Sequence, residues 1–118
     1  MSEAANLSQK RCLPCEGMTK PLAKNEVEVH LKNLPSWKVQ EDGRGIFREY
    51  KIKNFMTAVK FINQIAEIAE AENHHPDLHL TGYRNLRIDL STHAIGGLSE
   101  NDFIVAAKID QIPVELKK

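Results

Sequence analysis

The chain has 118 residues, of which 42% are hydrophobic and 27% are charged, and its 16 basic residues balance its 16 acidic ones. This length and composition predict one globular domain with a single hydrophobic core. The zero net charge argues against duplex DNA or an anionic membrane as a partner. No apolar run approaches the roughly 20 residues of a membrane span, and the N-terminus does not resemble a signal peptide. We therefore expect a cytoplasmic protein.

Residues 1–20 are polar, contain a proline and a glycine and show no sustained periodicity, so we interpret them as a flexible N-terminal arm. Cys12 and Cys15 form one Cys-x-x-Cys motif within this arm. The motif is compatible with a disulfide, a redox pair or half of a zinc site. We favour reduced thiols in a loosely ordered arm, followed by a single domain over residues 21–118.

The first half of the domain has the pattern of a helix, a β-hairpin and a second helix. Apolar residues recur at helical spacing over 22–34, and Pro35 ends this helix. Residues 37–52 alternate in polarity around the turn sequence Asp-Gly-Arg-Gly, which predicts a hairpin. The longest periodic segment runs from 55 to about 73, with Asn54 as its N-cap. Its predicted apolar face comprises Phe55, Ala58, Val59, Ile62, Ile65, Ala66 and Ala69.

The second half predicts two more strands, at 78–83 and 86–91, and a last helix. The run from Ser99 to Asp102 has the form of a capping box, with Asp in place of the usual Glu or Gln. The element order is therefore α-β-β-α-β-β-α with hairpin-length connections. It predicts an α+β fold in which helices pack on one face of a four-stranded antiparallel sheet.

Four of the five histidines lie between residues 70 and 102, and three of them are candidates for the site, namely His74, His75 and His93. Pro76 disfavours helix at the preceding residue, so His74 and His75 lie at a helix C-terminus and point in different directions. We expect His93 on the polar side of the fourth strand. Histidine transfers protons near neutrality because its unperturbed pKa is about 6.5. Since no nucleophile elbow or phosphate loop is present, the composition favours an acid–base site.

Simpler interpretations of the same residues remain open. The His-His-Pro run can be a helix C-cap, and three histidines can form a metal site, although their spacing matches no common motif. Tyr83 fits a core or interface position, and Trp37 is most simply a core residue. His30 and His79 are expected on the surface or at an interface.

A set of residues at fixed spacing is more informative about function than the composition is. It comprises Glu70, His74, His75, Pro76, Tyr83, His93 and Asp102. The set resembles the signature of pterin-4a-carbinolamine dehydratases, which are also known as dimerisation cofactors of a homeodomain transcription factor. The runs Leu-Ser-Thr-His at 90–93, Gly-Leu-Ser-Glu-Asn-Asp at 97–102 and Leu-Pro-Ser-Trp at 34–37 also resemble the family. The similarity covers about residues 20–112, and the Cys-x-x-Cys arm is similar to that of bacterial members.

The resemblance implies a hydro-lyase that removes water from 4a-hydroxytetrahydrobiopterin, the carbinolamine left by aromatic amino-acid hydroxylases, to give quinonoid dihydropterin. It implies catalytic roles for His74, His75 and His93. It also implies substrate-binding roles for Glu70, Pro76, Thr92 and Trp37, with Glu70 able to orient His74. No cofactor or metal is needed, since the pterin is the substrate. The family forms homodimers and homotetramers, and its members can act as transcriptional cofactors.

Three alternatives remain at this point: a purely regulatory binding module, an enzyme acting on a different pterin, and a metal-dependent hydrolase. The intact histidine set argues against a purely regulatory role, since a binding partner has no need of it. A hydroxylase gene beside this one would favour pterin recycling over another pterin pathway. Metal analysis of the purified protein would test the hydrolase.

Overall fold

The computed structural model describes residues 7–12 and 20–118, and within 20–118 three α-helices and four strands follow the order α-β-β-α-β-β-α. The helices are α1 (Lys24–Leu31), α2 (Phe55–Glu72) and α3 (Glu100–Asp110). The strands are β1 (Lys38–Val39), β2 (Ile46–Lys51), β3 (Asp77–Thr81) and β4 (Asn85–Leu90), and a short 3-10 turn spans His93–Ile95. The predicted fold class and element order are confirmed. No helix in the described part of the chain is long and apolar enough to cross a membrane.

The strands form one antiparallel sheet in the order β1-β2-β4-β3, so β2 and β4 are central. The register pairs Ile46 with Leu90 and Leu78 with Ile88. Because side chains alternate along a strand, these residues share one face of the sheet, where Ile46, Ile88 and Leu90 are buried in the core. β1 has only two residues, fewer than the hairpin pattern predicts.

The buried face of α2 agrees with the predicted one only in part. Ala58, Phe61, Ile65 and Ala69 are buried, whereas Phe55 is 50% exposed. The helix carries two adjacent apolar stripes, and hydrophobic periodicity alone does not decide which of them meets the sheet. Ala66 of the predicted face is also exposed, whereas Val59 and Ile62 are half-buried and Ile62 packs against the core.

Both ends of α2 are fixed by local hydrogen bonds. At the N-terminus the side-chain oxygen of Asn54 accepts from the Thr57 N–H at 2.9 Å, which confirms the predicted N-cap. At the C-terminus Asn73 adopts a left-handed backbone conformation with φ 51°. The N–H of Asn73 donates to Glu70 O at 3.3 Å and the N–H of His74 to Ala69 O at 3.1 Å. This is a Schellman motif, and it turns the chain before the proline.

The N-terminal segment at 7–12 is packed rather than loosely ordered. Residues 7–9 are helical, and Leu7 is 2% exposed within the hydrophobic core. Lys10 and Arg11 form ion pairs with Glu100 and Glu72. The expected flexible arm therefore does not describe this segment, because apolar burial and charge pairing hold it to the domain. Cys15 lies outside the described residues.

Two aromatic side chains differ in part from their expected environments. Tyr83 is 57% exposed at φ 54° in the β3–β4 turn, so it is in neither a strand nor the core, and its interface position stays a prediction. His30 is half-buried and stacks on Phe103 with ring centroids 4.7 Å apart, instead of lying on the surface. His79 is exposed, as expected.

We predict that Asn54→Ala lowers the free energy of unfolding by about 1 kcal/mol, because the Thr57 N–H loses its cap. Urea denaturation followed by far-ultraviolet circular dichroism measures this change. Asn63→Ala is the matched control, since Asn63 is exposed in the middle of α2 and alanine is a better helix former. Equal losses in the two variants would contradict the capping role.

Candidate active site

A buried His–Asp pair joins the end of α2 to the start of α3. His74 Nε2 lies 2.6 Å from Asp102 Oδ1, and the two side chains are 6% and 0% exposed. The Schellman motif fixes the backbone of His74, and the N-terminal turn of α3 fixes that of Asp102. The fold therefore brings together two positions of the predicted set that are far apart in sequence.

The Asp102 carboxylate has further donors on its second oxygen. The Thr92 hydroxyl donates to Asp102 Oδ2 at 2.9 Å, and the Ser99 N–H donates to the same oxygen at 3.0 Å. The Ser99 contact confirms the carboxylate half of the predicted capping box. An ionised carboxylate only accepts hydrogen bonds, so His74 donates to Asp102 from Nε2.

His93 lies beyond β4 rather than on its polar face, because β4 ends at Leu90 and His93 begins the 3-10 turn. The turn is closed by Thr92 and Gly97, with the Thr92 N–H donating to Gly97 O at 2.8 Å. His93 is exposed. It follows directly after Thr92, whose hydroxyl bonds Asp102, so the loop holds His93 next to a residue that supports the buried pair.

His75 and Glu70 form a second pair at the surface. His75 Nε2 lies 2.8 Å from Glu70 Oε1, and the side chains are 54% and 78% exposed. Glu70 was expected to orient His74. Instead, His74 is bonded to Asp102, and the Glu70 carboxylate pairs with His75. Pro76 is half-buried immediately before β3.

Two residues assigned to substrate binding are buried in this structure. Trp37 is 3% exposed, and its indole N–H donates to Asp110 Oδ1 at 2.9 Å. Asp110 lies about 12 Å farther along α3 than Asp102, at the 1.5 Å rise per residue of an α-helix. Thr92 is 1% exposed, and its hydroxyl donates to Asp102. Trp37 therefore packs in the core and Thr92 supports the buried pair, and their substrate-binding roles stay predictions.

Ser99 was not among the predicted site residues. Its hydroxyl lies 2.8 Å from the Thr92 hydroxyl, and its N–H bonds Asp102. The Ser-x-x-Asp capping pattern is the signal that could have indicated it.

Neither of two surface cavities contains a predicted site residue. One, of about 560 Å³, is lined by Lys53, Arg84 and the C-terminal residues 115–118. The other, of about 550 Å³, is lined by residues of the β1–β2 hairpin and Arg87. Over residues 7–12 and 20–118, no three His, Cys, Asp or Glu side chains are grouped so as to hold a metal ion.

The thiol of Cys12 is in an unreactive environment. Burial raises its pKa from 9.0 to about 12, and the charge and hydrogen bond of Glu72 add to the effect. A thiolate is the reactive form of cysteine, so Cys12 is a poor redox nucleophile near neutral pH.

Comparison with known proteins shows the family to which this chain belongs. Residues 20–112 match the family model described as pterin 4 alpha carbinolamine dehydratase. The chain belongs to the pterin-4a-carbinolamine dehydratase family. The match spans all the helices and strands of residues 20–112 and every residue of the predicted site, which confirms the family predicted from the sequence.

Proteins similar to this chain include bacterial and plant members of the pterin-4a-carbinolamine dehydratase family. A relative from Halorhodospira halophila is 44% identical over 107 residues, covering 91% of this chain and 97% of the relative. Pterin-4-alpha-carbinolamine dehydratase 2, mitochondrial, from Arabidopsis thaliana is 41% identical over 114 residues, covering 94% of this chain and 61% of the relative. A transcriptional coactivator/pterin dehydratase from Brucella melitensis has a crystal structure that matches with a TM-score of 0.73 at 32% identity, covering 77% of this chain and 96% of that one.

We predict that Cys12 in the folded protein reacts with iodoacetamide about 1,000-fold more slowly at pH 8 than an ordinary thiol, because a pKa near 12 leaves so little thiolate. Mass spectrometry of proteolytic peptides assigns the label to Cys12. Labelling in guanidinium chloride is the control and should proceed at the ordinary rate. Rapid labelling of native Cys12 would contradict the buried environment.

Proposed function

We propose that this chain dehydrates 4a-hydroxytetrahydrobiopterin to quinonoid dihydropterin by histidine acid–base catalysis. The observation that carries the proposal is the 2.6 Å contact between His74 Nε2 and Asp102 Oδ1. It orients one imidazole of a three-histidine set in a chain whose family is named for this reaction.

The reaction requires two proton transfers and no change of oxidation state. The bond between C4a and the hydroxyl oxygen breaks, and that oxygen takes up a proton and leaves as water. The electron pair of the neighbouring ring nitrogen forms the new carbon–nitrogen double bond, and the proton on that nitrogen is lost. One group must therefore give a proton and one must receive a proton, which histidine does well near neutral pH.

His74 is suited to carry one of these protons at Nδ1. Asp102 fixes the ring orientation through Nε2, and its carboxylate compensates the positive charge that the ring gains when it takes up a proton. His93 follows Thr92 and is exposed at the surface, where a substrate can reach it, so we assign it the second proton transfer. His75 is also exposed and serves as a contact to the pterin or as a further acid.

The surface pair of Glu70 and His75 offers polar contacts to the pterin ring. A pterin is flat and uncharged, with hydrogen-bond donors and acceptors on its pyrimidine edge. A carboxylate and an imidazole 2.8 Å apart match such an edge, and Pro76 adds apolar surface next to them.

We place this activity in the recycling of the pterin used by an aromatic amino-acid hydroxylase. The pterin is the substrate, and the enzyme needs no cofactor of its own.

We expect the purified protein to accelerate dehydration of chemically generated 4a-hydroxytetrahydropterin above its spontaneous rate, as followed by ultraviolet absorbance. His74→Ala and His93→Ala should each lower kcat about 100-fold or more, the usual contribution of a general acid or base. His79→Ala is the matched control, because His79 is exposed on β3 and should leave the rate unchanged. A folded wild-type protein without any acceleration would rule out this substrate.

We further propose that the chain forms a homodimer or homotetramer. Phe55 and Met56 at the start of α2 are 50% and 73% exposed, and Val59 and Ile62 are only half-buried. β3 is an edge strand of the sheet and presents backbone groups for pairing. An exposed apolar stripe together with an open sheet edge favours self-association.

Light scattering after size-exclusion chromatography should give a mass two or four times that of the chain. Replacing both exposed apolar residues, Phe55→Glu with Met56→Glu, should lower the mass if the stripe is the interface. Asn25→Glu adds a negative charge at an exposed position of α1, outside the α2 stripe, and should leave the mass unchanged. A monomeric wild-type protein at concentrations of tens of micromolar would exclude the oligomer.

A further inference from the structure

Residues 10–12 bridge the two helices that supply the buried His–Asp pair, although none of them belongs to the predicted site. On the α3 side, Lys10 Nζ lies 3.1 Å from Glu100 Oε1. Cys12 Sγ contacts the backbone oxygen of Asn101 at 3.7 Å. These contacts fall on the two residues immediately before Asp102.

On the α2 side, the bridge is made to the last turn of the helix and centres on Glu72. The Cys12 N–H donates to Glu72 Oε1 at 2.7 Å, and Arg11 Nε lies 2.9 Å from Glu72 Oε2. Arg11 Nη2 also donates to the backbone oxygen of Ala71 at 3.0 Å. Glu72 is the last residue of α2, two positions before His74.

Glu72 also connects α2 to α3 directly. Its side chain is 5% exposed, and its Oε2 lies 3.7 Å from Lys108 Nζ. Burial alone would raise the pKa of the Glu72 carboxyl. The hydrogen bond from the Cys12 backbone and the charges of Lys108 and Arg11 outweigh burial and hold the pKa below its ordinary value. The carboxylate is therefore charged near neutral pH and held by groups from both sides.

We propose that Glu72 is a positioning residue that, together with Arg11, Cys12 and Lys108, keeps His74 in bonding geometry with Asp102. His74 is attached to α2 and Asp102 to α3, so their 2.6 Å contact depends on how these two helix ends are spaced. Glu72 lies less than one helical turn from His74, and its partner Lys108 is on the same helix as Asp102. The contact between Glu72 and Lys108 therefore fixes the spacing of the two helices close to His74. The catalytic consequence rests on the proposed function, whereas the effect on the geometry of His74 does not.

The test is Glu72→Gln in the full-length chain. Glutamine keeps the shape and still accepts a hydrogen bond from the Cys12 N–H, but it removes the charge that pairs with Arg11 and Lys108. We expect kcat for dehydration to fall about tenfold with KM changed less than twofold. Glu67→Gln is the matched control, since Glu67 is exposed on the same helix, and it should leave both constants unchanged. Glu72→Asp keeps the charge and should restore part of kcat.

A second measurement does not depend on catalysis. The Nε2 proton of His74 can be followed by nuclear magnetic resonance, and its exchange with water should be about tenfold faster in Glu72→Gln than in the wild type. Stability serves as a further control. Protonation of Glu72 removes the same charge that the glutamine substitution removes. The difference in Tm between wild type and Glu72→Gln should therefore be present at pH 7, where the wild-type carboxylate is charged. It should disappear as the pH falls through the lowered pKa of Glu72.

The outcomes separate this inference from the proposed function. A lower Tm with unchanged His74 proton exchange and unchanged kcat would show that Glu72 only stabilises the fold, and would overturn the positioning role. Faster proton exchange in Glu72→Gln, in a protein whose wild type does not accelerate dehydration, would support the positioning role and reject the proposed reaction.

Discussion

The buried carboxylate of Asp102 is the group on which both the fold and the site depend. Removing a charge from water costs several kcal/mol unless hydrogen bonds replace the lost hydration. Here the replacement comes from His74 after α2, Thr92 after β4 and Ser99 before α3. The positive N-terminal end of α3 adds a favourable field. Three segments must converge for Asp102 to be buried, so the charge makes the arrangement specific.

The same convergence gives three similar side chains different environments. His74 is buried and bonded to a carboxylate, whereas His75 and His93, which both follow it in the chain, are exposed. A buried imidazole with a fixed orientation and exposed ones that a ligand can reach are suited to different steps of one reaction. Adjacent positions such as 74 and 75 can differ in this way because the Schellman motif turns the backbone between the helix and β3.

Sequence patterns predicted what depends on neighbouring residues and missed what depends on the tertiary fold. Periodicity predicted the element order, and short motifs predicted the Asn54 cap and the bond between Ser99 and Asp102. The predicted partner of Glu70, His74, was wrong. Both His74 and His75 lie within reach of Glu70, and the tertiary fold determines that His74 is already bonded to Asp102. The docking of residues 7–12 involves contacts to α2 and α3 that no local pattern encodes. The cytoplasmic location and the link to a hydroxylase stay predictions.

The loop between β4 and α3 constrains where this chain can change its length. Thr92 pairs with Gly97 through the backbone, and its hydroxyl meets both Ser99 and Asp102. An insertion between 97 and 99 would break this ring of contacts and unseat the carboxylate. An insertion within 93–96 would only enlarge the tip beyond the closed pair. Natural length variation can therefore reshape the surface around His93 while the buried pair stays intact.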